Sequence, residues 1–176
     1  MAGSAADDDT LWIISTRDPD GVPVCQLTWH GVDWYASVAE VRETAGDLMT
    51  CAAYAEMMMT LLDRLDLDAG TVTAFMTDLL RGRKKRYFGT PATITLMPAG
   101  SSARRVPVVL IKRGLTAGET EGVSPDKARQ MAVDWLAVAE ATESDQLVGE
   151  ALRAVGVDDS TQARLFGYLM KLRERR

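Results

Sequence analysis

From Val38 to Leu62, the residues Val38, Val41, Ala45, Leu48, Ala52, Ala55, Met59 and Leu62 recur at alternating steps of three and four. A strand would need period two, so this spacing marks one stripe of a helix. A second stripe, Cys51, Tyr54, Met58, Leu61 and Leu65, covers the opposite side, and the C-terminal half is apolar nearly all round. A helix of that kind is normally buried in its own fold. The sequence therefore predicts a central core helix over residues 37–66. The competing reading is a dimer seam, because the same spacing suits a coiled coil and the Ala-rich middle allows close approach.

The segments before this helix read as strands. "LWIIST" is a short apolar run that ends at Asp18-Pro19-Asp20-Gly21, a turn in which Pro fixes φ and Gly supplies positive φ. In "VPVCQLTW", Cys25, Leu27 and Trp29 alternate with Val24, Gln26 and Thr28, the pattern of a strand with one buried face. His30-Gly31 suits a tight connection into "VDWYAS", which completes a three-stranded antiparallel meander.

After the long helix, "DAGTVTAFMTDLLRGRKK" predicts a shorter one with Val72, Phe75, Met76, Leu79 and Leu80 on its core face and cations in its last turn. "TPATITLM" and "RRVPVVLI", joined by "PAGSSA", predict a second β-hairpin, and Pro107 places its strand at an edge or a bulge. Ser124 then caps a helix with Pro125 in its first position and Ala128, Met131, Ala132, Trp135, Val138 and Ala139 inward. "SDQLVGEALRAVG" continues or restarts that helix and stops at Gly156. A last helix is capped by Asp158 or Asp159 and turns Leu165, Phe166, Leu169 and Leu172 inward. Strands and helices come in blocks, which is an α+β class. The expected organisation is a disordered acidic tail over 1–10, an α+β core over 11–122 and a C-terminal helical region over 123–176 packed on the same domain.

Composition narrows the chemistry. The acidic start "MAGSAADDDT" lacks the features of a secretory signal, and no apolar run approaches a membrane span, so a cytoplasmic protein without a membrane partner is expected. Cys25 and Cys51 are too few for a disulfide framework and read as buried reduced thiols. With one histidine, His30, and no C-x-x-C or H-x-x-x-H spacing, neither a metal nor a cofactor is expected. His30 reads as a turn or surface residue rather than a triad member, phosphate-loop and nucleophile-elbow motifs are missing, and no catalytic residue is expected. The absence of asparagine and the excess of arginine over lysine suggest a GC-rich bacterial or phage genome. Glu56, beside Ala52 and Met59, reads as a rim residue or structural ion pair; the alternatives are a buried acid or a partner for an arginine of the basic segment.

That basic segment is the main anomaly. From Leu79 to Gly118 there is no Asp or Glu, and the window holds nine cations: Arg81, Arg83, Lys84, Lys85, Arg86, Arg104, Arg105, Lys112 and Arg113. A formal net charge of −5 thus conceals a block of +9 within a body of −14. Helix-dipole complementarity concerns only a final turn and does not require forty residues without an acid. With Tyr87 and Phe88 interleaved, the block has the groups needed for phosphate contacts and base stacking. The leading expectation is a non-catalytic nucleic-acid-binding protein. The other is an assembly protein that docks an acidic protein partner, or forms a homodimer or larger homo-oligomer through Ala-rich helix faces.

Overall fold

The computed structural model describes residues 11–64, 67–79, 94–101, 106–113 and 120–173. Its elements are β1 (Trp12–Arg17), β2 (Pro23–Trp29), β3 (Val32–Ala36), α1 (Val38–Arg64), α2 (Ala69–Leu79), β4 (Ile94–Ser101), β5 (Val106–Arg113), β6 (Thr120–Val123), α3 (Pro125–Ala154) and α4 (Asp159–Arg173). They form two three-stranded antiparallel sheets, β1-β2-β3 and β4-β5-β6, with four helices, an α+β architecture with an N-terminal meander and a long central helix. The chain divides into two compact units, Met1–Ala39 with Ala137–Arg176, and Glu40–Leu136. Helix α3 contributes residues to both.

In the first unit, β2 alternates as expected: Pro23, Cys25, Leu27 and Trp29 are buried and the residues between them half-buried. The register sets Leu27 between Ile13 and Trp34, and Cys25 between Ser15 and Ala36. Pro23 is tolerated in this middle strand because it is the first residue. The link to β3 is the two-residue turn His30-Gly31, with φ of 49° and 69°. Positive φ at both central positions is the type I′ geometry, whose twist matches the flanking strands. In the β1–β2 loop, Asp18 Oδ1 accepts hydrogen bonds from Asp20 N at 3.0 Å and Val22 N at 2.8 Å, and Gly21 has φ 79°.

Thr142 of α3 joins the buried side of this sheet. Its hydroxyl lies 2.9 Å from Val138 O and 2.9 Å from Ser15 Oγ, and Cys25 Sγ donates to it at 3.4 Å. One turn on, Gln146 Nε2 donates to Pro23 O at 2.8 Å. Helix α4 closes the unit: the Phe166 ring carries the Arg17 guanidinium 3.8 Å above its centroid, while Arg17 Nη1 donates to Gly21 O at 2.8 Å.

In the second unit, Val41, Ala45, Leu48, Ala52 and Ala55 of α1 are wholly buried and Met59 nearly so. Sheet β4-β5-β6 turns Ile94, Val109, Ile111 and Val123 into the core. Gly100 of β4 meets α1: a Cβ there would lie 2.8 Å from Met59 Sδ, so only glycine fits without a shift.

Several expectations are corrected. The second hairpin is a three-stranded sheet, because β6 pairs along β5 from Val109 to Lys112. Thr-Glu-Gly-Val has no apolar alternation, and Gly122 is needed there because Val108 Cγ1 would approach its Cβ to 3.1 Å. Pro107 lies in a middle strand instead of an edge strand, but it pairs only with Gly100, beyond the reach of β6. Residues 98–101, expected in the connecting loop, continue β4. Helix α3 runs unbroken for 30 residues. Among the described side chains of α2, Val72 and Met76 are fully covered, an i, i+4 pair, while Phe75 and Leu79 face outward. In α4, Leu165 and Leu172 lie well round the helix from Phe166 and stay exposed. Leu65, Leu80 and the cations expected in the last turn of the shorter helix lie outside the described residues.

The helix starts share one chemistry. Ser124 Oγ accepts from Lys127 N at 3.2 Å. Asp68 accepts from Thr71 N at 2.9 Å, and Asp158 from Thr161 N at 3.0 Å, with the threonine hydroxyl bonded to the same carboxylate in both. Asp158 is therefore the cap of α4. Hydrogen bonds from Ser160 and then Thr161 hold its carboxyl down at about 2. A carboxyl depressed on folding lends stability above its unfolded value near 3.9 and loses it as pH falls toward the folded value. Asp158→Ala should lower the melting temperature at neutral pH, and this difference should shrink as pH falls from about 4 to about 2. Thr142→Val keeps the shape but strips the hydroxyl from Cys25, Ser15 and Val138; urea unfolding should show a loss of about 1–2 kcal/mol with an unchanged m-value.

Candidate nucleic-acid interface

Lys112 is the one proposed contact residue whose side chain the structure describes. Arg113 is described as the backbone end of β5, while Arg81, Arg83, Lys84, Lys85, Arg86, Tyr87, Phe88, Arg104 and Arg105 lie outside the described residues. Lys112 is in the middle strand of its sheet, between Thr95 of β4 and Thr120 of β6. Val109 and Ile111 turn into the core, so Lys112 stands half-buried on the other face, in register with two hydroxyl-bearing neighbours. Among the described residues, no carboxylate pairs with its ammonium.

The strand register fixes how the basic block is divided. Ile94 pairs with Arg113 and Thr95 with Lys112, so β4 begins at the Lys112–Arg113 end of the sheet. Arg104 and Arg105 immediately precede Val106 at the other end. Six residue steps of β-strand separate Val106 from Lys112, about 20 Å at the usual rise. That is about six phosphate steps along one strand of a duplex.

The other charged residues highlighted by the sequence have internal roles. Glu56 is paired, but with Arg129 of α3 instead of an arginine of the basic segment: Nη1–Oε1 is 2.8 Å and Nη2–Oε2 is 2.5 Å. The same guanidinium reaches Asp126 Oδ1 at 3.2 Å. With side chains 44% and 39% exposed, this is a rim ion pair holding α1 to α3. The hydrogen bond from Arg129 pulls the Glu56 carboxyl below its usual range against the opposing effect of desolvation. Sequence reading could find the acid but had no signal for a partner 73 positions away.

Both cysteines are buried and free. Burial, reinforced by Asp47, pushes the Cys51 thiol up to about 12, leaving it without thiolate character at neutral pH. Among the described residues, no cluster of three or more His, Cys, Asp or Glu side chains could hold a metal ion, and no helix is long and apolar enough to cross a membrane. His30 occupies its turn with its ring stacked on Trp29 at 5.5 Å. Ala45, Ala52 and Ala55, in the Ala-rich stripe of α1, are covered within one chain.

Glu56→Gln should change stability by about 1 kcal/mol or less at neutral pH, the range of exposed ion pairs. Because the Glu56 carboxyl is depressed on folding, the pair is fully formed above an unfolded value near 4.3 and weakens below it. The difference between the two proteins in urea unfolding should therefore vanish in acid; a loss of several kcal/mol would contradict a rim pair.

Comparison with protein-family models, curated proteins and solved structures gives no significant match.

Proposed function

We propose that this chain is a non-catalytic cytoplasmic protein that binds nucleic-acid phosphates, with little sequence readout, through the region spanning residues 81–113. The observation that carries the reading is the complete exclusion of acids from Leu79 to Gly118 alongside nine cations, in a chain whose remainder carries a formal charge of −14. Neutralising phosphates releases condensed counterions, and the gain grows with the number of cations engaged. Arg83, Lys84, Lys85 and Arg86 supply the densest charge, Tyr87 and Phe88 supply rings for stacking, and Arg104, Arg105, Lys112 and Arg113 form the flanks.

Two features of the described residues favour a polymeric anion. Val106 and Lys112 of β5, next to which the flanking cations fall in sequence, stand about 20 Å apart, farther than one small phosphate compound can bridge. Lys112 is not neutralised by a described carboxylate, and Glu56, the acid the sequence offered as a partner for the basic segment, is taken by Arg129.

Anisotropy titrations against random duplex and single-stranded DNA at about 50 mM and about 200 mM salt test the proposal. The logarithm of the binding constant should fall with log salt by about 0.9 per phosphate neutralised on duplex DNA. Replacing Arg83, Lys84, Lys85 and Arg86 with alanine should cut that slope by about 3–4 and weaken binding to all sequences alike. Absence of binding at the lower salt, or binding indifferent to the four replacements, would refute it.

A further inference from the structure

The sheet β4-β5-β6 is apolar on both faces. Its inner face carries the buried Ile94, Val109, Ile111 and Val123. Alternation along β5 sends Val106, Val108, Leu110 and Lys112 to the opposite, outer face. The register sets Ala99 beside Val108, and Met97 and Gly122 on either side of Leu110. Gly122 confirms that these residues share a face, because a Cβ there would lie 3.1 Å from Val108 Cγ1 and 3.6 Å from Leu110 Cδ2. Val106 is 42% exposed, and Met97, Val108 and Leu110 are half-buried. An antiparallel sheet with one solvated face normally alternates apolar and polar residues. The run "VPVVLI" of β5 does not, so the outer face is apolar where water alone would select polar side chains.

Charge on this face has one sign. Lys112 follows Leu110 by two residues and ends the apolar band, between Thr95 and Thr120. The one acid of the three strands, Glu121, pairs with Ile111 and so belongs to the inner face. An apolar band that ends in an ammonium group suits a ligand in which flat rings are joined to anions. Single-stranded nucleic acid has that chemistry: its base faces can lie against a surface while its phosphates meet cations. A duplex stacks its base faces on one another and offers only their edges, so it gains nothing from an apolar sheet. A second copy seated on this face would bury two Lys112 ammonium groups, and the outer face has no acid to meet them.

We propose that the outer face of β4-β5-β6 is a platform for single-stranded nucleic acid, with bases over Met97, Val108 and Leu110 and a phosphate at Lys112. The inference rests on the nucleic-acid reading above and narrows its ligand from any polyanion to single strands. Apolar contact with the bases adds affinity that salt does not screen, beside the salt-dependent phosphate contacts.

Anisotropy titrations of the full chain with labelled oligothymidylate and with a duplex of the same length test the platform. The single strand should bind about tenfold or more tighter than the duplex. Met97→Ser combined with Leu110→Ser removes apolar area without changing charge. That pair should weaken the single-strand complex about tenfold and leave both the duplex affinity and the slope against log salt unchanged. Lys112→Ala should weaken both complexes and lower the single-strand slope by about 0.7. Urea unfolding checks that the serine pair still folds, and photocrosslinking of the unaltered protein to an oligonucleotide carrying 5-iodouracil gives a readout that needs no variant. Adducts should fall in peptides from β4 or β5. Equal affinity for the two forms, single-strand binding indifferent to the serine pair, or adducts confined to other peptides would overturn the platform and leave phosphate binding standing. Binding to neither form at about 50 mM salt would remove both readings. Tighter binding of a polyglutamate peptide than of the oligonucleotide would assign the face to an acidic protein instead.

Discussion

A three-stranded sheet has an apolar face that it cannot bury alone, and this protein has two such sheets. The inner row of the first, Cys25, Leu27 and Trp29, and that of the second, Ile94, Val109 and Ile111, both need helical cover. The cover is supplied economically. Helix α1 approaches the second sheet closely enough that a Cβ at Gly100 would push Met59 aside, and Thr142 and Gln146 of α3 bond into the first. Because α3 also holds Glu56 of α1 through Arg129, one helix takes part in both units, and its 30-residue length has a structural reason.

The sequence was most readable where a local backbone requirement selects a residue type. His30-Gly31 sits in the turn that needs two positive φ values, Ser124-Pro125 begins α3, and Gly156, at φ 78°, follows its end. Strict alternation in β2 and the three-four rhythm of α1 identified two pieces of core correctly. Reading failed where a residue answers to a distant neighbour. Strand β6 exists because β5 had a free side to pair with, and Gly122 is there to clear Val108 and Leu110. Phe75 has the spacing of a core residue, but it lies on the outward face of α2, away from the covered Val72 and Met76.

The basic block was visible as composition and invisible as geometry. Counting charges groups nine cations together, yet only strand pairing shows that Lys112 and Arg113 stand beside the start of β4. The aspartate caps Asp68 and Asp158 are the reverse case. Their Asp-x-x-Thr spacing was in plain view, and the carboxylates answer to backbone and hydroxyl donors within their own helix starts. Acidic residues in this chain thus do much of their work locally, at helix ends and in rim pairs, while the cations of 81–113 are set apart from any acid in sequence.

The two cysteines fall one to each unit, Cys25 in the first and Cys51 in the second, and both are sealed from solvent. Each core therefore carries its own latent reporter. An alkylating reagent reaches a thiol only while the surrounding structure is open, so the labelling rates at the two positions would separate breathing of one half from breathing of the other. Two equal rates would mean that the halves open together, joined by the helix they share.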